Sequence, residues 1–485
     1  MHLIRQHTFD IDCSSKKFGK EIHSHLGTLL EQHFYPKLEG LLNAYAPEGY
    51  TWSIEALELQ LPNISHKSWK KELVEQSLQQ MEQYLLANMP FVQESFEIKD
   101  TKANTVIKDE AQAELIFFKF LKKGALPENS ISANLEDILA KIEITPEFIA
   151  LLVDKFTKDR IYLIRWLLGM PNAFKHRVTA NSNLSENFTP AFNEILKEAL
   201  KKISDSDSYT KSKITTEWIE LLQWIKVLQA KSSQSQLTRE VIRLSKEHWQ
   251  IAIDELNYIL SHAVAYCTSK SSKVDEKVKI FFKELSIGIK LVEESIQNKE
   301  NNLPDTIEEI QKTETSLFKD VQFIENAGLI LLHPFLQSLF EQLGLSENNV
   351  WKNDNSVHKA VLLTQYLVTG QKSIYENELI LNKLLCGLEQ DTIINTKLRV
   401  SKKEIEKCES LLEAVLEYWK PMNGSSAETL RETFLRRNGK LDLTGGSTEL
   451  WIEERGYDIL LAQLPWGISM IKTPWMEQYL TCNWT

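Results

Sequence analysis

Apolar residues recur at helical spacing along most of the chain, and proline or a polar cluster breaks the pattern about every 10–25 residues. Such a sequence does not build one long rod or one large sheet. It favours short helices packed side by side. The clearest run is Phe18 to Tyr45, with Ile22, Leu26, Leu29, Leu30, Phe34, Leu38, Leu41 and Leu42 at helical spacing before Pro47-Glu48-Gly49 ends it. Ser65 or Ser68 can cap the next helix, through about Met89. Thr145-Pro146-Glu147 starts another, because proline in the first turn gives up no needed N–H. Ile214 to Leu228 and Leu237 to Ile259 read as amphipathic helices. Ser401-Lys402-Lys403-Glu404 reads as a capping box opening a helix to about Trp419. Ser425-Ser426-Ala427-Glu428 opens one that Gly439 is expected to close in left-handed geometry. No a/d heptad is sustained, so a long coiled coil is not expected.

Period-two patterning is confined to the ends. Leu3 to Cys13 alternates in part, and Trp52 to Leu61 alternates cleanly until Pro62. Lys440 to Thr444 and Glu449 to Glu453 flank Gly445-Gly446-Ser447-Thr448 as a hairpin, and Leu480 to Trp484 adds a final strand. The expected class is therefore mainly α: multi-helical segments with short β elements near the N-terminus, in β-α-β-α order, and a small β-hairpin at the C-terminus. Composition breaks divide the chain into a 1–95 β-α-β-α segment, a 108–175 helical segment, a 186–296 helical segment of its own character, a 297–320 polar linker and a 321–485 C-terminal domain.

With 56 Lys+Arg against 67 Asp+Glu the net charge is −11, which argues against neutralising a phosphate backbone, and no nucleic acid is expected as a partner. No apolar run approaches the roughly 18–20 residues that cross a bilayer, so no membrane insertion is expected. Met1-His2-Leu3-Ile4-Arg5-Gln6-His7 lacks a signal-peptide core. Cys13, Cys267, Cys386, Cys408 and Cys482 form no C-x-x-C pair and read as free thiols in a reducing compartment, which makes the cytoplasm the expected address.

Catalytic templates fail one by one. Thr369-Gly370-Gln371-Lys372-Ser373 lacks the Gly-Lys step and the earlier glycine of a phosphate loop. His23 and His25 stand two apart on a helix and face different ways, unlike the four-residue spacing of a zinc helix. Asp354 and His358, at i and i+4, match an ordinary surface pair. The reading is no enzyme, no cofactor and no metal. The oddity is aromatic: of 12 tryptophans, Trp451, Trp466, Trp475 and Trp484 fall near the C-terminus, two of them in Pro-Trp steps. Either they fill a core under irregular backbone, or they form a partner-docking surface, since tryptophan anchors dominate interface energetics.

Several motifs occur in a familiar order. The first is Glu325-Asn326-Ala327-Gly328-Leu329-Ile330-Leu331-Leu332-His333-Pro334-Phe335-Leu336; Ala360 to Gly370 follows, then Glu378 to Gly387 with Asn382, Lys383, Leu384 and Leu385. Leu430-Arg431-Glu432, Phe434-Leu435, Arg437 and Gly439-Lys440-Leu441 come next, and Asp458 to Trp466 with Pro465, then Pro474-Trp475-Met476, close the series. Together they resemble the contractile injection system tape-measure family of phage-tail-like particles. The likeness is dense over 321–485, weaker over 1–95 and Phe117 to Pro127, and absent over about 175–320. It implies a structural component that sets tube and sheath length, partnered by tube, baseplate or other particle proteins, present in the cytoplasm during assembly and carried inside the particle. It implies no catalytic residue, cofactor or metal. The motif-rich C-terminal domain would be the anchor and the middle the spacer; a compact helical assembly adaptor or chaperone is the alternative. Limited proteolysis of the whole chain is expected to cut first within 297–320; first cuts inside 325–475 would remove that boundary.

Overall fold

The computed structural model describes residues 2–88, 104–202, 213–269, 275–300 and 321–484, less 3, 5, 6, 14, 47, 48, 55, 128, 129, 131, 133, 181–183, 185–187, 189, 445 and 446. The chain divides into two compact units, one of residues 1–117 with 129–142 and one of 118–128 with 143–485. The mainly α reading holds.

In the first unit the helix expected over 18–45 runs from Lys16 to Tyr45, with a π turn at Leu30–Phe34. The π turn sits just before Pro36, whose missing N–H and bulky ring disturb the i→i−4 ladder there. Ile22, Leu29, Phe34 and Leu38 pack with Trp69, Leu73 and Val74 of the helix Trp69–Asn88. Strand β1 (Tyr50–Ile54) pairs antiparallel with β2 (Asn104–Lys108), placing Trp52 opposite Val106. Two expectations change here. Described residues 7–13 hold no strand, and the alternating run from Trp52 stops being a strand at Ile54. Alternation describes a face, but a strand needs a ladder partner, and β2 pairs with β1 only as far as Ile54.

The second unit opens with a series of helices. Thr145 caps Pro146–Lys158 by accepting from the Phe148 N–H at 3.1 Å. Arg160–Gly169, Asn172–Thr179, Pro190–Lys202 and Thr216–Leu228 follow. The helical stretch expected over 237–259 is instead Gln234–Trp249 and Ile253–Ser269. Gln250 between them is left-handed (φ 55°), its N–H bonds to Lys246 O, and the Ile251 N–H reaches back to Ser245 O. That is a left-handed helix stop built without glycine, so no glycine announced it. Glu276–Glu300 is the last of the series and extends into the polar stretch 297–320, whose residues after 300 lie outside those described. Trp166, Trp218 and Trp224 are fully buried in this part, and the Trp166 and Trp224 rings meet edge-on at 5.8 Å.

Residues 321–484 wrap helices around a five-stranded sheet. Its strands are β3 (Val321–Ile324), β6 (Gly439–Asp442), β7 (Thr448–Ile452), β8 (Met470–Ile471) and β9 (Leu480–Asn483), in the order β3-β6-β7-β9-β8. A separate two-stranded ladder joins β4 (Ser346–Glu347) to β5 (Val350–Trp351). The expected hairpin is β6–β7, and β9 joins β7 in parallel. Ile324, Leu441, Leu450, Ile452, Ile471, Leu480 and Cys482 turn the sheet's inner face to the core. Gly439 does not close a helix. It begins β6, where an added Cβ would stand 2.6 Å from Ala327 Cβ and 3.1 Å from Trp451 O.

The closest approach is at Gly328, where a Cβ would meet Phe434 O at 1.8 Å and Leu435 Cα at 2.7 Å. Both obstacles are backbone and cannot swing away. Gly328→Ala is expected to destabilise the chain by about 3 kcal/mol, measured by chemical denaturation, whereas Gly467→Ala, with open space around it, is expected to be neutral.

Candidate functional site

Short helices leave many orphan carbonyls, and cations drawn from elsewhere in the chain satisfy them here. The helix Asp109–Lys123 ends at Gly124, left-handed at φ 74°. The Arg165 guanidinium donates to its last carbonyls, Leu121 O at 2.6 Å and Lys122 O at 2.5 Å, and to Asp391 O at 2.6 Å. The helix Arg160–Gly169 ends on Lys175 (to Leu167 O, 2.7 Å), Thr396 (to Leu168 O, 2.8 Å) and Lys397 (to Met170 O, 2.8 Å). Burial lowers the Lys397 ammonium to about 8. The helix Asp354–Thr369 ends on Arg431 (to Leu367 O, 3.1 Å) and Arg436 (to Thr369 O, 2.7 Å).

At the centre Glu376, fully buried, receives Arg165 Nε on both oxygens at 3.2 Å and Lys383 Nζ at 2.9 Å. Lys383 also donates to Gln390 O at 3.0 Å. Burial lowers the Lys383 ammonium below its ordinary range, and Glu376 opposes that shift. Gly124 and Gly169 are the floor, since a Cβ at either would stand 2.5 Å from Glu376 Oε1 or 3.2 Å from Oε2. One carboxylate thus ties residues 121–124, 165–169 and 376–391 together.

The motif residues meet around this hub. Asn326 Nδ2 lies 2.8 Å from Gln365 Oε1, 2.7 Å from Asn382 Oδ1 and 3.0 Å from Glu378 O. Asn382 donates to Thr364 at 2.9 Å. Pro334 stands in the first turn of the helix His333–Gln342, and Phe335 packs edge-on against Trp466 at 5.0 Å. Leu385 belongs to the core of residues 321–484, Leu384 packs against it, and Ala327 lies in it under Gly439. Gly387 (φ 74°) faces Trp475 O, which an added Cβ would approach to 2.3 Å. Gly370 (φ 67°) terminates a helix beside Arg431, which accounts for the false phosphate-loop pattern. Arg437 forms a bidentate pair with Asp458, donates to Glu453 O at 2.8 Å and lies against the rings of Phe434, Tyr457 and Trp484. Burial pushes the Asp458 carboxyl up, but hydrogen bonds from Arg437, the Arg455 N–H and the Trp484 indole outweigh it and hold it below the usual range.

Of the four tryptophans singled out, three are engaged within the domain. Trp484 is buried on Asp458 at 3.1 Å. Trp466, after exposed Pro465, donates to Leu331 O at 3.0 Å. Trp475, after exposed Pro474, stacks on Trp351 at 4.3 Å. Trp451 stands apart on the outer sheet face, half exposed. Sequence reasoning singled out Lys383 but missed Arg165 and Glu376. The signal was a single charge inside Ile161-Tyr162-Leu163-Ile164-Arg165-Trp166-Leu167-Leu168, since a cation buried at that point demands an anion.

None of these residues lines either of two surface clefts. The clefts, of about 400 and 370 Å³, are lined by Lys37, Leu41, Glu75 and neighbours, and by Glu341, Ser346, Glu347, Asn348 and Lys352. Among the described residues no group of three or more His, Cys, Asp or Glu is placed to hold a metal, and no helix is long and apolar enough to cross a membrane. What the fold and its polar interior define is a helical scaffold whose buried charges hold its own elements together. The chain belongs to the contractile injection system tape measure protein family, whose model matches residues 1–484. That is a structural family and not a family of enzymes. No curated protein and no solved structure matches the chain.

Glu376→Gln leaves two buried cations without their anion and is expected to cost about 3–5 kcal/mol, read as a fall in the denaturation midpoint. Asp458, held low in the folded state, contributes stability that is complete above the unfolded value near 3.8 and is lost as pH falls through the lower folded value. Asp458→Asn is therefore expected to lower stability at pH 7 and to flatten its decline below about pH 4; an unchanged acid limb would show that the Arg437 pair does not govern it.

Proposed function

We propose that this chain sets the tube and sheath length of a contractile phage-tail-like particle, working with tube, baseplate or other structural proteins of that particle. The family match over residues 1–484 carries the reading. The C-terminal segment 321–485 is the anchor, where the family's motifs form one polar interior. Residues 186–296 are the spacer, and 297–320 joins the two. The chain assembles from the cytoplasm and ends inside the particle.

One observation gives weight to the second reading, a compact adaptor or chaperone. Trp218 and Trp224 in the proposed spacer are fully buried, and Glu220 between them accepts from Trp166 at 2.9 Å and Lys175 at 2.8 Å. A spacer folded in this way has to unpack before it can measure by its extended length. The two readings part on particle length. Inserting 40 residues of helix-forming sequence within 301–320 is expected to lengthen the tube by about 60 Å if the insert is read as helix, at ~1.5 Å per residue. Electron microscopy of purified particles gives the length directly, and particles of unchanged length would leave the adaptor reading.

A further inference from the structure

The outer face of the five-stranded sheet has no role in the polar interior. The register places Phe323, Lys440, Trp451 and Asn483 in one row across β3, β6, β7 and β9. The adjacent row holds Val321, Asp442, Glu449, Thr481 and Met470. Phe323 is 53 % exposed, Trp451 50 % and Met470 62 %, so three large apolar side chains share one face with water. Asp442 and Glu449 stand directly opposite each other, an arrangement that costs stability unless a cation offsets it. Asp442 takes two hydrogen bonds from Thr444, and among the described residues neither acid has an ion-pair partner. Glu453, two residues beyond Trp451 on the same strand line, is paired with Arg455. Lys440 stands in the aromatic row and acts on Asp442, and Lys472, two residues beyond Met470, lies over the Tyr479 ring.

We infer that this face is an interaction surface for a cationic protein segment, one that seats an apolar side chain against Trp451 and Phe323 and brings a lysine or arginine to the Asp442–Glu449 pair. The charge decides the occupant. The pair supplies two negative charges at one place, and the chain's net charge of −11 steers cationic partners in while opposing a second copy of itself. Tryptophan at the centre of such a patch is the side chain that most often dominates binding. The assignment rests on the reading that the chain assembles with other particle proteins, and it names where on the proposed anchor one of them sits.

The test uses the full-length chain and two labelled peptides, one alternating lysine and valine and one alternating glutamate and valine, followed by fluorescence anisotropy. The lysine peptide is expected to bind and the glutamate peptide not. Trp451→Ala and Glu449→Lys are each expected to weaken binding about tenfold or more, against less than twofold for Glu294→Lys, a charge reversal on the exposed side of Glu276–Glu300. Equal weakening by all three variants, or none by the first two, overturns the assignment. In particle-producing cells the double variant, verified as folded by circular dichroism, is expected to be depleted at least tenfold from purified particles. Wild-type recovery of that variant in particles overturns the surface as the assembly contact. The length measurement on the insertion variant keeps this outcome separate from the ruler itself, because a chain can be recruited and fail to measure, or measure and use another contact.

Discussion

The structure depends on how its helix C-termini are closed. A chain that breaks its helices so often multiplies orphan carbonyls, and each one buried without a donor costs free energy. Here the donors are charged and come from distant sequence: Arg165 for Leu121 and Lys122, Lys397 and Lys175 for the end of Arg160–Gly169, Arg431 and Arg436 for the end of Asp354–Thr369. A cation at a helix C-terminus meets both the carbonyls and the negative end of the helix dipole, so one side chain serves two electrostatic needs. Buried cations then need anions, which explains why Glu376 and Asp458 are where they are.

This arrangement gives specificity at a cost in tolerance. Glu376 fits because Gly124 and Gly169 present bare backbone to its oxygens, and Gly328 and Gly387 allow main chain to run against main chain. The motif glycines, amides and charges are therefore conditions on one another, and changing any one strands its partners. The tryptophans obey the same rule. An indole is a donor without an acceptor, and Trp351, Trp419 and Trp466 each spend that donor on a backbone carbonyl, of Cys386, Leu460 and Leu331. Trp166, Trp218 and Trp484 spend theirs on side chains, of Glu220, Ser245 and Asp458.

Helix starts were legible in the sequence because capping is local: Thr145 and Ser401 each accept from an N–H three residues on. Stops were less so. The left-handed Gln250 closes a helix that glycine would have announced, and β3 is a strand of four residues with nothing to mark it but its pairing with β6. The hub itself was half legible. Lys383 entered only as one residue of a motif, and its anion and the second cation lie 7 and 218 residues away, distances that no spacing rule links.

The same connections extend into the middle of the chain. Glu220 fastens the helix Thr216–Leu228 to Trp166 and Lys175, and Arg165, one residue before Trp166, fastens that part of the chain to Glu376. The chain of buried contacts from residues 321–484 thus reaches through Thr216–Leu228 to Gln234–Trp249, where the Trp218 indole donates to Ser245 at 3.0 Å and Arg160 pairs with Glu240 at 3.7 Å. Residues carrying those contacts cannot be removed without stranding buried charge. The helices Ile253–Ser269 and Glu276–Glu300 add apolar side chains such as Leu260 and Phe282, together with the Lys213–Glu255 pair at 2.7 Å and a 2.7 Å hydrogen bond from Asn257 to Glu293. Removing residues 234–269 would leave Arg160 and Lys213 without Glu240 and Glu255, so the middle helices are held by buried charge just as the polar interior of residues 321–484 is.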